Sequence, residues 1–255
     1  MRPIWTGSIS FGLVNIPVSM FSGVHPREGL DLDMLHKQDS GQIRYARICK
    51  KDGDEIAWDD IVKGYKYAED SYVVLDEDDF KKANPKKTQT IDIQQFVAEG
   101  EIDIRYFEKP YYLEPGKGGD KAYALLHAAL EQTDKLALAR FVIHEREHIG
   151  VIKPVGRALV LNQMRFPADI REATDLHFPS AQDAPDAEVK MAIKLISQET
   201  KHFAPEDFHD TYTEELEDII KAKTKGKTPK KSQKAPEKTT AGDLMAALKA
   251  SIGEH

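Results

Sequence analysis

Residues 2–18 read RPIWTGSISFGLVNIPV, a run in which apolar residues alternate with small or polar ones. Trp5, Ile9 and Phe11 fall on one face at a period of two, which is the period of a β-strand. Glycine and proline interrupt the run, as bends and bulges in strands do. We therefore expect β-structure from Ile4 to Met20.

Strand-like patterns recur further along the chain, at 72–75, 90–97, 102–107, 136–143 and 158–161. Between them the sequence predicts one helix, with Asp120 as its N-cap and apolar residues from Ala122 to Leu130 at helical spacing. Strands separated by so few helices favour a β-barrel or sandwich over a doubly wound sheet. Together with its carboxyl-terminal helices, the chain is predicted to have a mixed α/β, β-dominated fold.

Residues 25–70 differ from the rest of the predicted body, 1–185. They are polar, rich in Asp, Gly and Lys, and contain short apolar runs such as Met34-Leu35 and Ile61-Val62. Runs of this length supply little surface for a core layer. The sequence predicts a protruding, thinly packed excursion here.

After Pro185 the pattern becomes helical. A first apolar stripe contains Val189, Ile193 and Ile196, and a second runs from Phe208 to Ile220 after a predicted helix start at Pro205-Glu206. We expect a helical arm over 186–220. The sequence leaves open whether these helices cover the sheet or dock on a partner.

Two further segments follow the arm. Residues 221–238 hold eight lysines and one acid with no large apolar residue, which predicts a flexible linker. Residues 239–255 predict a short helix, capped by Thr239 or Thr240, with apolar positions at Leu244, Met245, Leu248 and Ile252. So short a helix is not stable alone in water, so it either docks on another protein or folds back on its own body.

The composition gives 36 basic and 43 acidic side chains in 255 residues, a net charge of −7, with 40% hydrophobic content that allows a folded core. Residues 1–220 hold 27 of the basic and 40 of the acidic groups. A single cysteine, Cys49, excludes an intrachain disulfide and a multi-cysteine zinc site. With no signal-like or membrane-spanning run, we expect a cytoplasmic protein without membrane contact.

One stretch has the literal form of a zinc protease motif, H-E-x-x-H, at 144–148. In those enzymes a helix places both histidines on one face, with the glutamate beside the metal-bound water. Here strand-like residues precede the motif and Gly150 and Pro154 follow it, which favours a polar turn between two strands. A zinc-dependent hydrolase remains the alternative to be tested. Otherwise we expect no enzyme, no catalytic residue, no metal and no cofactor.

A cluster of basic residues stands inside the excursion. Residues 37–51 contain five basic side chains, Lys37, Arg44, Arg47, Lys50 and Lys51, against the single acid Asp39. Basic side chains on a scaffold without a base-reading helix suit contact with phosphates irrespective of sequence. A solvated charged loop is the other interpretation of the same cluster.

Motifs along nearly the whole chain resemble those of bacterial Ku proteins. The resemblance is carried by residues 2–18, Leu35-His36-Lys37, Ile43-Arg44-Tyr45, 60–65 (DIVKGY), 109–113 (KPYYL), 121–126 (KAYALL) and 243–251 (DLMAALKAS). It implies a Ku-type β-barrel core whose excursion forms a bridge, so that a homodimer makes a ring around duplex DNA. The helices at 186–220 would then embrace the other protomer.

The resemblance also implies a function: sequence-independent binding and protection of double-stranded DNA ends in non-homologous end joining, with recruitment of an ATP-dependent DNA ligase. The expected DNA-binding residues are those of the bridge, Lys37, Arg44, Arg47, Lys50, Lys51 and Lys63. The expected ligase-binding residues are those of the terminal peptide, Leu244, Met245, Leu248, Lys249 and Ile252. The expected location is the cytoplasm, at the nucleoid. A protein that acts only as an adaptor through that peptide is a further alternative.

Overall fold

The computed structural model describes residues 1–25, 30–83, 89–144, 146–227 and 244–253. The chain divides into two units: the first contains Met1–Glu28 and Asp33–Arg171, and the second contains Gly29–Leu32 and Glu172–His255. The first unit contains every described strand and two helices, and the second contains three helices.

The amino-terminal run forms two antiparallel strands, β1 (Trp5–Phe11) and β2 (Val14–Ser22). The turn between them needs a residue with positive φ, which Gly12 supplies at +57° without strain. Ile9 lies opposite Ile16, and both are fully buried. The alternation in the sequence thus predicts the strands and their inward face correctly.

Five further strands close this hairpin into a barrel: β5 (Thr90–Ala98), β6 (Phe107–Pro115), β7 (Lys135–Ile143), β8 (Arg146–Val155) and β9 (Ala158–Met164). Their order around the barrel is β1-β2-β6-β9-β8-β7-β5. The closing pair, β1 with β5, is parallel and places Ile9 opposite Ile91, whereas the other pairs are antiparallel. Closure leaves the barrel without an unpaired edge strand.

Apolar side chains fill the barrel. The largest fully buried ones are Phe141, Ile9, Ile16, Met20, Ile91, Leu113, Ile152, Leu159 and Leu161. Each contributes about 1.5–3 kcal/mol by leaving water. The barrel is therefore where the first unit gains its stability.

Helix α2 (Asp120–Thr133) packs on the barrel beside β2, β7 and β8. The Tyr123 hydroxyl donates to the Leu113 carbonyl at 2.7 Å and accepts from the Leu159 N–H at 2.6 Å. Burial raises the pKa of Tyr123. The prediction of Asp120 as the N-cap is wrong by one position: Gly119 precedes the helix and Asp120 is its first residue.

Residues 102–107 were predicted as a strand, and this is wrong. Within this range Ile104–Tyr106 forms a short 3₁₀ turn, a second one, Glu99–Glu101, precedes it, and β6 begins only at Phe107. The Asp103 carboxylate accepts from the backbone N–H of Arg105 at 2.9 Å and from its guanidinium, which lowers the pKa of Asp103 to about 2. Such local hydrogen bonds compete with strand pairing.

Between β2 and β5 the chain leaves the barrel. The excursion predicted over 25–70 is given the bounds 33–75 from here on, because the first unit resumes at Asp33 and the last strand of the segment ends at Leu75. Its regular part is a two-stranded ribbon, β3 (Lys63–Ala68) with β4 (Ser71–Leu75), which is separate from the barrel sheet. Helix α1 (Glu77–Ala83) follows it. The strand expected at 72–75 exists, but it belongs to this ribbon, and its partner β3 was not predicted.

The second unit contains α3 (Asp186–Glu199), α4 (Thr211–Thr224) and α5 (Leu244–Gly253). The predicted start of α4 at Pro205-Glu206 is wrong. Those residues form a single turn, and α4 begins where Asp210 caps it by accepting from the Thr213 N–H at 3.2 Å. Among the described helices none has both the length and the apolar character to cross a membrane. Thr239 and Thr240 and most of the predicted linker lie outside the described residues.

Candidate nucleic-acid interface

The excursion buries almost nothing of itself. From Asp33 to Asp70 just two residues, Cys49 and Ile56, are half-buried, and every other residue is exposed. Aromatic side chains are among the exposed ones, including Tyr65 and Tyr67 at about two-thirds of their full exposure. An isolated two-stranded ribbon is at best marginally stable in water, and none of the residues of this ribbon is buried.

Two tight turns hold three of the five clustered basic residues. Lys37 lies in a turn closed by a bridge between Leu35 and Gln42, and Lys50 and Lys51 lie in a turn closed by one between Ile48 and Glu55. The same turns are fixed by backbone bonds from His36 N–H to Gly41 and from Cys49 N–H to Asp54. All three lysines are exposed.

Arg44 and Arg47 lie in the extended chain between those turns. Arg44 has an ion pair with Glu55 at 3.6 Å, but 85% of its side chain is exposed. Ion pairs this exposed contribute little and are easily replaced. The Arg44 guanidinium is therefore available to a stronger anion such as a phosphate.

Aromatic rings position two other cations. The Arg47 guanidinium lies 4.4 Å from the centre of the Trp58 ring, and the Lys63 ammonium lies 4.8 Å from that of Phe80. A ring face holds a cation without taking its hydrogen-bond donors, unlike a carboxylate. These contacts orient the two side chains and leave their N–H groups free to donate.

The ribbon adds a basic residue that the sequence analysis missed. Lys66 of β3 lies opposite Tyr72 of β4, with its ammonium 6.0 Å from the ring centre. Lys63 and Lys66 are an odd number of residues apart on one strand, so they face opposite sides of the ribbon. The signal in the sequence is Tyr65-Lys66-Tyr67, where aromatic residues that favour strands flank a cation, although both faces of this strand are exposed.

Acidic residues are segregated from the basic ones along the excursion. Residues 52–60 carry five acids and no basic side chain. The one acid within 37–51, Asp39, accepts from the Gly41 N–H at 2.9 Å and contacts His36, and these bonds lower its pKa. Its charge is thus engaged in its own turn, so the basic segment keeps a positive field.

The H-E-x-x-H stretch lies on a hairpin, as the polar-turn interpretation predicts. His144 occupies the turn between β7 and β8 with φ of +49°, and His148 lies on β8 opposite Phe141, whose ring centre is 5.5 Å away. Burial lowers the pKa of His148. Glu145 lies outside the described residues. Over the part of the chain that the structure describes, no three His, Cys, Asp or Glu side chains form a group that could hold a metal.

The terminal peptide forms α5, which lies against α3 in the second unit. Met245, Leu248 and Ile252 are half-buried and Lys249 is exposed, while the side chain of Leu244 lies outside the described positions. The expected ligase-binding residues therefore share one short helix. The expected DNA-binding residues all lie in the excursion of the first unit.

Known proteins match this chain along nearly all of its length. The family described as the Ku70/Ku80 beta-barrel domain matches residues 10–191. Non-homologous end joining protein Ku of Opitutus terrae is 42% identical, with 100% of this chain and 92% of that protein covered. The proteins of the same name from Cupriavidus necator and Archaeoglobus fulgidus are 40% and 36% identical, and cover 100% and 99% of this chain, or 78% and 98% of their own length.

The matched region runs from the end of β1 into α3 and includes the remaining barrel strands and the whole excursion. The closed barrel and the ribbon therefore lie almost entirely within the part of the chain that the family model matches. The chain belongs to the Ku family.

Proposed function

We propose that this protein binds the ends of duplex DNA, irrespective of sequence, and acts in the repair of double-strand breaks by non-homologous end joining. The observation that carries the proposal is the excursion, which presents basic side chains and buries almost nothing of itself. The names of its relatives, non-homologous end joining protein Ku, support the same role.

The structure of the excursion favours contact with the DNA backbone over reading of bases. Its basic side chains lie in turns, in extended chain and on a ribbon, and none of them lies on an α-helix. Reading base edges in the major groove requires an element shaped to enter it, whereas phosphates accept from any well-placed cation. We therefore expect no sequence preference.

A homodimeric ring is the second part of the proposal. The ribbon of each protomer is exposed and would be stabilised by packing against another surface. A duplex held between the excursions of two protomers would supply that surface to both ribbons. The second unit also carries uncovered apolar side chains, among them Ile193 and Ile196 on α3 at 56% and 66% exposure. Such side chains suit a contact with a second protomer. A closed ring admits DNA only at a free end.

The acidic composition of the chain is compatible with this role. The net charge is −7, but residues 37–51 carry a local excess of positive charge. At physiological salt, charges are screened over about 8 Å, so DNA responds mainly to the side chains that line its site. An acidic outer surface would disfavour side-on binding and leave the threaded end as the preferred site.

We further propose that the protein recruits and stimulates an ATP-dependent DNA ligase at the nucleoid and has no catalytic role of its own. The segment suited to that contact is α5, whose residues Met245, Leu248 and Ile252 form a single apolar face. Amphipathic helices of this kind bind hydrophobic grooves on partner proteins.

Binding to linear and to relaxed circular DNA of the same sequence, measured over a salt series, tests the proposal. We expect tight binding to the linear form and little to the circle, with several linear sequences bound equally. The logarithm of the affinity should fall with the logarithm of salt concentration by about 0.9 for each phosphate contact. Equal affinity for the circle and the linear form would contradict the ring.

A further inference from the structure

Helix α5 has the composition of a segment that requires a surface to pack on. Its ten residues, LMAALKASIG, include one charged side chain, Lys249. Isolated helices shorter than about 12–15 residues are marginal in water, so packing must supply the stability of α5. The identity of the surface that holds α5 in the free protein therefore bears on its availability to a partner.

Helix α3 supplies that surface. It has a half-buried stripe at helical spacing, Glu188, Met191, Ala192 and Leu195. Its other apolar residues, Val189, Ile193 and Ile196, are exposed. Among the described helices and strands, α5 makes the most extensive contact with α3. The half-buried stripe is the face that suits this contact, because the other apolar side chains of α3 are exposed.

The seated face of α5 is the face expected to bind the ligase. Met245, Leu248 and Ile252 are half-buried, and the exposed residues between them are Ala246, Lys249 and Ala250. The exposed side therefore offers two methyl groups and one charge, which is too little for a hydrophobic contact. A single apolar face cannot pack on α3 and in a ligase groove at once.

We propose that α3 is an intramolecular competitor of the ligase: it holds α5 seated in the free protein, and the ligase binds only after α5 has left α3. This inference rests on the proposed ligase docking. The ratio of the seated to the released form of α5 sets how much this competition weakens the apparent affinity for the ligase. If the seated form outnumbers the released form by about ten to one, the apparent affinity for the ligase is about tenfold weaker than that of the released helix.

The test compares the unchanged chain with four single variants, of which Leu195→Ala is a milder form of the first. Leu195→Asp places a charge on the seated face of α3, and the matched control Gln198→Asp places the same charge on an exposed position of the same helix. Leu248→Asp places it on the apolar face of α5. Hydrogen exchange of amides 244–253 measures whether α5 is held on α3. Titration with the purified ATP-dependent ligase measures the affinity of the protein for the ligase.

We expect Leu195→Asp to abolish exchange protection of α5 and to raise ligase affinity by about three- to tenfold. Gln198→Asp should match the unchanged chain in both measurements. Leu195→Ala, which keeps a high helix propensity in α3, should change both in the same direction by less. Unaltered protection of α5 in Leu195→Asp would overturn the inference, as would lost protection without a gain in affinity.

The remaining variant separates this inference from the function on which it rests. Leu248→Asp should lose both exchange protection and ligase binding. If Leu248→Asp binds the ligase as well as the unchanged chain does, the proposed docking by α5 is wrong, whatever the exchange data show. If it loses ligase binding while Leu195→Asp changes nothing, docking stands and the competition by α3 is wrong.

Discussion

The barrel and the excursion belong to one unit of one chain but treat their apolar side chains in opposite ways. In the barrel, Ile9, Phe141 and Leu161 face inward and are at most 2% exposed. In the excursion, Tyr65 and Val74 remain more than half exposed. The barrel therefore gains its stability from its own packing, whereas the excursion has almost no packed interior of its own. Substitutions in the two regions should accordingly be detected by different measurements.

The largest expected effect is on the barrel. Phe141→Ala removes a buried ring from the core, and the lost burial and the cavity should lower the free energy of unfolding by about 3–5 kcal/mol. Tyr45→Ala, at an excursion residue that is 84% exposed, should change it by less than about 0.5 kcal/mol. Urea unfolding measures both. Comparable losses for the two variants would contradict the division between the regions.

The next effect is on binding by the excursion. Replacing Arg44, Arg47, Lys50 and Lys51 with Glu should weaken binding to DNA ends by about 100-fold or more, because each reversal replaces an attraction to phosphate by a repulsion. Stability should not change. A matched control reverses four exposed cations of the barrel unit, Lys117, Lys121, Lys135 and Arg157. Equal losses in the two fourfold variants, measured with labelled linear duplex, would place the DNA elsewhere.

Tyr123→Phe should have an intermediate effect, on the barrel only. It removes the hydroxyl that bridges Leu113 and Leu159, and leaves a buried carbonyl and a buried N–H without that partner. We expect a loss of about 1–3 kcal/mol in the free energy of unfolding, with DNA-end affinity unchanged. Tyr112→Phe, at an exposed position of β6, is the control and should be close to neutral.

A smaller effect should come from Arg47→Lys. It keeps the charge but replaces the planar guanidinium over Trp58 by an ammonium, which weakens the ring contact and reduces bidentate contact with phosphate. We expect about two- to fivefold weaker binding to DNA ends, which corresponds to about 0.5–1 kcal/mol. Arg44→Lys should weaken DNA-end binding less, because Arg44 lies beside the Glu55 carboxylate and not over an aromatic ring. Fluorescence anisotropy at fixed salt can resolve the difference.

The smallest expected effect is a gain. Glu55→Gln releases Arg44 from its exposed ion pair and should strengthen DNA-end binding by about 0.2–1 kcal/mol. A double-mutant cycle with Arg44→Gln tests the cause, because Glu55→Gln should give no gain once Arg44 is absent. A gain of the same size in both backgrounds would assign the effect to the general charge of the segment.

The strands that could be predicted from the sequence are those with one face in the core and the other face outside it. Residues 2–18 alternate because one side of β1 and β2 lies in the core, so the period of two appears in the sequence. Strand β3 shows no such alternation of burial, since all its residues are exposed, and it was missed. At 102–107 the pattern was misleading, because the side chain of Asp103 satisfies a backbone N–H locally.

In the candidate site, too, some features could be predicted from the sequence and others could not. The clustered cations of 37–51 are evident in the composition, and so is the amphipathic pattern of the terminal helix. The ring contacts of Arg47 with Trp58 and of Lys63 with Phe80 join residues far apart in sequence, so no local spacing indicates them. From its sequence the terminal helix could dock on another protein or fold back on its own chain, and in the structure α5 contacts α3.

A trapping experiment tests the central claim, that the excursions of two protomers enclose a threaded duplex. The protein is loaded on linear duplex, half of the sample is circularised by ligation, and both halves are moved to high salt. We predict that the protein stays on the closed circles and leaves the linear molecules through their ends, because a ring is held by topology where electrostatic attraction is screened. Equal loss from the circles and the linear molecules would contradict the account.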